Sequence, residues 1–305
     1  MRVNMDNCIT QGKAVPPEMI RPFTESSDLL GNTAALTARL KEDGYLFFRG
    51  ALDKDEVLAA RAEIFERLGA VGEVKDPPAE GIFSGASRRQ EMANDLGEFW
   101  KSVCKGPKLR QVTHGPRLRN LMAGVFGEPA RPHDYIFLRP SPVGRATPVH
   151  YDRPFFSRGS ERINTVWLAL GPVPVADGSL VVVDGSNHFD DLIATAAAVD
   201  YDSKGSRAVS VTEDPITLAQ ARGTGLLSAD FEAGDLAIFT MTTLYGTLDN
   251  HSAIGRIRLS CDIRYQPLVD PMDERYSGPD PTGTTGVGYG ELNGAKPLTE
   301  PWHKR

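Results

Sequence analysis

The chain is poor in cysteine. Its three cysteines, Cys8, Cys104 and Cys261, stand far apart and are odd in number. They build neither a disulfide framework nor a zinc cluster, and a reducing cytoplasm is the expected location. Positive charge is not in excess: 34 Lys and Arg against 40 Asp and Glu give a net charge of −6. That leaves no general basic field for nucleic acid, which is not an expected partner. No apolar run approaches the roughly 18 residues that a membrane span needs, so no membrane partner is expected. The opening stretch MRVNMDNCITQGKAVPPEMIRPF lacks the continuous apolar core of a secretion signal. Internal repeats and low-complexity tracts are absent as well. Histidine is scarce, at six residues, so a histidine in a chemically suggestive setting stands out.

What is present describes a folded chain. With 305 residues, 40% hydrophobic and 24% charged, it can bury a sizeable core. One unit is expected over 1–305, with a helical front half at about 34–126, a β core at about 134–267 and an irregular tail at 268–305. Residues 1–33 read as an irregular arm. Tyr45 to Phe48, bounded by Gly44 and Gly50, reads as a strand. Asp53 with Glu56 resembles a capping box, Val57, Ala60, Ile64 and Leu68 follow at helical spacing, and Gly69 is the expected stop. The Pro/Gly/Ser-rich stretch 74–96 reads as a long loop of the kind that forms lids. From 134 onward come short strands with turn residues between them, interrupted by a long, partly helical insertion at 186–232. This texture predicts a mainly β fold with α dressing, a β-sandwich or jelly roll.

The segment ATPVHYDRPFF carries His150 and Asp152 two residues apart at the end of an extended stretch. In extended backbone such residues point to the same side, so an imidazole and a carboxylate can reach one ion. With a distant histidine they would complete the facial set that leaves positions open on ferrous iron. A second His-x-Asp pair, His188 and Asp190, precedes a predicted helix, whose N-terminus suits Asp190 and Asp191. Further on, GRIRLSCDIRYQP places Arg256, Arg258, Ser260, Asp262 and Arg264 on one strand face and Ile257, Leu259, Cys261 and Ile263 on the other. Arg258 with Ser260 can grip a carboxylate by a guanidinium fork and a hydroxyl. Arg256 and Arg264 read as charges turned to solvent. Arg88, Arg89, Arg153 and Arg158 could meet an acidic substrate, or be ordinary surface charge.

Taken together, EDGYLFFRGALDKDEV, PVHYD, TVWLALGPVPVADGSLVVVDGSNHF, GTLDN and RIRLSCDIRYQ resemble the phytanoyl-CoA dioxygenase family of iron(II)/2-oxoglutarate oxygenases. The resemblance implies a double-stranded β-helix, a cupin-like jelly roll with helices on one side. It implies Fe(II) with 2-oxoglutarate as cosubstrate, and dioxygen and a small molecule as partners. His150 and Asp152 become iron ligands, and Arg258, assisted by Ser260, the 2-oxoglutarate residue. Trp167 matches a family tryptophan near the cosubstrate. The implied activity is oxidation, by default hydroxylation, of a C–H bond in a small organic molecule.

One position departs from the pattern. The family's distal histidine is expected where YGTLDN places Tyr245, and His251 lies six residues later. Three arrangements follow: Tyr245 ligates as a phenolate, His251 folds back as a substitute, or no third protein ligand exists. The competing class is a catalytically impaired protein that binds 2-oxoglutarate or another ligand on the same fold. A cupin-like enzyme using another metal is a weaker alternative, opposed by the Arg258–Ser260 pair.

Overall fold

Two large sheets, a two-stranded ribbon of Ile9–Thr10 and Lys13–Ala14, and a helical layer make up the described residues. The computed structural model describes residues 8–201 and 214–301. The larger sheet has six strands, with Tyr45–Phe48, Leu236–Thr240, Asn164–Ala169, Arg258–Pro267 and Ala130–Pro132 in order, and Phe137–Ser141 also pairing with Arg258–Pro267. The smaller has four, in the order Tyr245–Thr247, Leu180–Val183, Leu226–Ser228 and Ile20–Pro22. All pairings in both sheets are antiparallel except the parallel one between Ile20–Pro22 and Leu226–Ser228.

Register assigns each residue its face, because residues directly opposite in a ladder share one. Across the larger sheet, Phe47, Ala237, Trp167, Asp262 and Phe137 lie in one row. That row looks toward the smaller sheet: Tyr45, Phe47, Trp167, Ala237 and Phe239 share a buried cluster with Leu180, Val182, Leu227 and Tyr245. The opposite face, including Leu46, Val166, Leu168, Leu259, Cys261 and Ile263, packs in the helical core. Helix Lys54–Ala70 contributes Val57, Ala60, Ile64, Phe65 and Leu68 to that core, the side chains that the helical spacing picked out. The outer face of the smaller sheet, with Val181, Val183 and Leu226, is covered by helix Pro215–Ala221 and the N-terminal segment.

Several expectations are revised. The arm before residue 33 is not wholly irregular, since Ile20–Pro22 joins the smaller sheet. Asp53 caps its helix by accepting from the Asp55 and Glu56 N–H groups. The helix runs past Gly69 to Ala70, and Gly72, at φ 77°, takes the left-handed position. Gly44 fills the corresponding place after helix Thr33–Asp43, where a Cβ would lie 2.6 Å from the Asn187 side chain. The 74–96 loop is pinned by bridges Val74 to Phe83 and Ile82 to Arg256, so it is built into the body. Strand Leu226–Ser228 lies inside the supposed 186–232 insertion and pairs with both its neighbours in the smaller sheet. Among the described residues no helix is long and apolar enough to cross a membrane.

Two buried histidines predict how the fold responds to acid. Burial pushes His133 down to about 4, and burial with Arg110 pushes His114 down to about 3. The unfolded chain binds these protons near pH 6.5, so it holds more protons than the folded state between 6.5 and 4. Stability is therefore complete above about pH 6.5 and falls as the pH drops, by about 1.4 kcal/mol per unit for each such histidine. Urea titrations at pH 7 and pH 5 are expected to show a lower midpoint at pH 5. An unchanged midpoint in His133→Gln as well as the parent would remove His133 from that account.

Candidate active site

The site sits where the polar end of the larger sheet's inner face meets the edge of the smaller sheet. The His150 segment is laid along Tyr245–Thr247: the His150 N–H donates to Tyr245 O at 2.9 Å and the Tyr245 N–H to His150 O at 3.2 Å. Gly246 permits this approach, because a Cβ there would stand 2.5 Å from Thr147 O and 2.9 Å from Val149 N. His150 and Tyr245 are thus cross-strand neighbours with ring centroids 4.6 Å apart. The His150 Nδ1 is 2.9 Å from Pro148 O, an acceptor that selects the Nδ1–H tautomer and turns the Nε2 lone pair away. Nε2 lies 3.7 Å from Asp152 Oδ1.

Asp152 is the hub. Its carboxylate accepts from Arg264 Nη2 at 2.8 Å on both oxygens, from the Tyr245 hydroxyl at 3.0 and 3.1 Å, and from Thr165 Oγ1. Burial pushes the carboxyl up, but Arg264, His150 and Thr165 together outweigh it and hold Asp152 below the usual range. Burial, and then the Asp152 charge, push the Tyr245 phenol well above its ordinary value. Tyr245 is a neutral donor here. Arg264 donates to its oxygen at 3.0 Å.

Arg258 lies deeper. It donates to Ser260 Oγ at 2.5 Å and to Thr247 Oγ1, across the sheets, at 3.4 Å. Its Nε is buried without a hydrogen-bond partner. Burial first, and then repulsion from Arg139, bring its pKa down to about 9. A guanidinium buried among hydroxyls is costly until an anion joins it, and a carboxylate matches its fork. The guanidinium chemistry suits a carboxylate, but Arg258, Ser260 and Thr247 do not line the cavity that opens onto Asp152.

The fit to a divalent cation is partial. His150 Nε2 and the Asp152 carboxylate converge as an imidazole and an oxygen donor. Among the described residues no group of three His, Cys, Asp or Glu side chains is arranged to hold a metal. The third place next to Asp152 is the Tyr245 hydroxyl.

A cavity of about 50 Å³ opens onto this cluster, with Arg139, His150, Asp152 and Arg264 among its lining residues. Phe155 and Phe156 wall one side, and Thr284, Thr285, Glu291 and Leu292 of the tail wall another. Small-molecule sites commonly span about 300–1,000 Å³, so this half-open cavity encloses only part of a substrate. The 74–96 loop, read from the sequence as a lid, does not line the cavity.

The remaining sequence candidates separate clearly. His251 is exposed and its N–H donates to Ala176 O, because the chain turns outward after the Tyr245–Thr247 strand. It does not replace the distal imidazole. Trp167 is buried against Phe231, centroids 4.7 Å apart, in the apolar part of the inter-sheet core. It does not line the cavity. Arg89 is wholly buried in an ion pair with Glu73, while Arg153 pairs with Glu161 and Arg158 with Asp200 at the surface. His188 stands in a short turn before helix Asp190–Ala197, as its context implied.

Two site residues were missed or misplaced by the sequence reading. Arg264, taken as solvent-facing, is 1% exposed and bound to Asp152. It shares a strand face with Arg256 and Arg258, and spacing alone gave no signal to rank the three. Arg139 was not singled out. Register sets it opposite Ser260, and its Nε donates to Asp262 at 2.5 Å.

Comparison with known proteins places the chain in a family. Residues 40–258 match the family model described as phytanoyl-CoA dioxygenase (PhyH). A 1-deoxypentalenic acid 11-beta-hydroxylase of Streptomyces exfoliatus is 27% identical over 270 residues, 82% of this chain and 87% of that protein. Its counterpart in Streptomyces arenae is 24% identical over 263 residues, 80% and 85% of the two chains. Among solved structures, EctD from S. alaskensis superposes with a TM-score of 0.53 at 15% identity, covering 89% of each chain. The alpha-ketoglutarate-dependent carbocyclase SnoK of nogalamycin biosynthesis gives 0.51 at 21% identity, covering 82% and 88%. These two show a shared fold.

Proposed function

Because the protein belongs to the phytanoyl-CoA dioxygenase family of iron- and 2-oxoglutarate-dependent oxidoreductases, we propose that it oxidises, by default hydroxylates, a C–H bond of a small organic molecule. The two sheets are read as the double-stranded β-helix of such enzymes. The observation that carries the proposal is the convergence of His150 Nε2 and the Asp152 carboxylate on the cavity, 3.7 Å apart. The buried Arg258, held by Ser260 and Thr247, supports the reading from outside the cavity lining.

His150 and Asp152 are the residues to hold iron, and Arg258 with Ser260 those to hold the far carboxylate of 2-oxoglutarate. Bound together, iron and 2-oxoglutarate supply the activation of dioxygen that C–H oxidation needs. The chain's own residues do the positioning. Pro148 O sets the imidazole tautomer, Thr165 steadies the Asp152 carboxylate, and Phe155 and Phe156 exclude water from one side. The curated relatives are named for hydroxylating an acid. A small organic acid is therefore the first substrate class to screen.

A second reading has its own observation. Tyr245 and Arg264 both donate to Asp152, which suits a protein that binds 2-oxoglutarate or another anion without turnover. An anaerobic titration with iron(II) and 2-oxoglutarate, followed by visible absorption, separates the two. The oxygenase reading expects a weak charge-transfer band in the parent protein, and succinate once air is admitted. A band seen only in Tyr245→His favours the binding protein. No band in either sinks the assignment of the whole site.

A further inference from the structure

Asp152 is crowded. Three donors reach its carboxylate, the Thr165 hydroxyl, the Tyr245 hydroxyl and Arg264 Nη2, and the last two each lie within reach of both oxygens. The cationic contributor is Arg264, whose Nη2 touches Asp152 and the Tyr245 hydroxyl together. These are two of the groups beside which a metal ion would bind. A protein cation therefore already sits on the metal-binding carboxylate.

The same guanidinium has a second place to go. Its Nη1 is 3.9 Å from Asp262 Oδ2. Asp262 Oδ1, Arg264 Nη1 and Arg264 Nε are all buried without hydrogen-bond partners. Arg264 thus stands between two carboxylates, fully engaged with one and unsatisfied toward the other. Its carbon lies 4.3 Å from the centre of the Phe137 ring and 4.8 Å from that of Phe156, and both rings line the cavity. Both rings are within cation–π distance of the guanidinium, so aromatic contact accompanies its hydrogen bonds to the carboxylate.

We infer that Arg264 is a built-in competitor for the metal, holding Asp152 until a divalent cation displaces it toward Asp262. The inference rests on the proposal that His150 and Asp152 form the metal site. Tyr245 belongs to the same device, because its hydroxyl bridges the guanidinium and the carboxylate. Apparent metal affinity is then reduced by the fraction of molecules in which Arg264 occupies the carboxylate.

The test is metal binding itself. Apo-protein stripped with a chelator is titrated with cobalt(II), and its ligand-field absorption is followed in the parent, in Arg264→Met and in each combined with His150→Ala. Arg264→Met is expected to bind cobalt about tenfold or more tightly than the parent, with His150→Ala abolishing binding in both backgrounds. Equal or weaker binding by Arg264→Met, still dependent on His150, overturns the inference and leaves the metal site standing. Binding that ignores His150, or no binding at all, overturns both. Should Arg264→Met not fold, Arg264→Lys shortens the reach to Asp152 while keeping the charge, and the same outcomes decide.

Discussion

Arg89→Met is expected to destabilise the protein by about 3–5 kcal/mol, the usual result of stripping one partner from a buried ion pair. Arg89 and Glu73 are both wholly buried. Beyond the pair, Arg89 Nη1 donates to Ala295 O at 2.9 Å and Lys296 O at 2.8 Å, and also to Gly294 O. Glu73 Oε1 accepts from Ser87 Oγ at 2.7 Å and from the Leu298 N–H at 3.0 Å. The pair is therefore a rivet between the 73–89 segment and the tail, and it lies just beyond the tail residues that wall the cavity. Its loss leaves a buried carboxylate without its counter-charge and removes the guanidinium from the Gly294, Ala295 and Lys296 carbonyls. Urea denaturation followed by circular dichroism reads the loss. Adding Glu73→Gln should recover part of it, since the orphaned charge is then gone. Limited proteolysis should cut the tail sooner in the single variant. A loss under about 1 kcal/mol would show that the pair contributes little beyond its own desolvation.

Asp152→Ala is expected to abolish turnover and metal binding and to lower stability by about 3–5 kcal/mol. The two effects share one cause, because this carboxylate is the proposed metal ligand and also holds Arg264. Without it, Arg264 is a buried guanidinium whose nearest remaining carboxylate oxygen is 3.9 Å away. The pH dependence gives a sharper check. Asp152 is held below its ordinary value, chiefly by Arg264 against the opposing effect of burial. Its contribution is thus present above the unfolded carboxyl pKa of about 3.9 and is lost as the pH falls through the depressed folded value. The gap in urea midpoint between parent and variant should be widest near neutrality and shrink in that acid window. A gap independent of pH would mean that Asp152 stabilises the fold by packing alone.

Much of this arrangement was legible in the chain. The helical spacing of Val57, Ala60, Ile64 and Leu68 marked a buried face, and those side chains lie in the helical core. The alternation from Arg256 to Arg264 marked a two-sided strand, and its apolar half does pack against the helices. The His-x-Asp spacing placed His150 and Asp152 together, because two residues in extended backbone share a side. What failed was the ranking of equal-looking residues. Arg256, Arg258 and Arg264 are indistinguishable on a strand face, yet Arg256 pairs with Asp177 at the rim while Arg264 is buried on Asp152. Tyr245 and His251 were competing candidates, and only Tyr245 reaches the site.

The sequence by itself determined the strongly patterned elements, their apolar faces and the family, because these follow from local spacing and from motifs read within a few residues. Strands Ile20–Pro22 and Leu226–Ser228 emerged only from sheet pairing. Tertiary structure alone decided which charges meet. Arg264 and Asp152 are 112 residues apart in the chain, and Arg258 finds Thr247 only because two sheets stack face to face. Burial is a property of that stacking, and burial separates a solvated arginine from one that must take a carboxylate, a hydroxyl or a ligand as its partner.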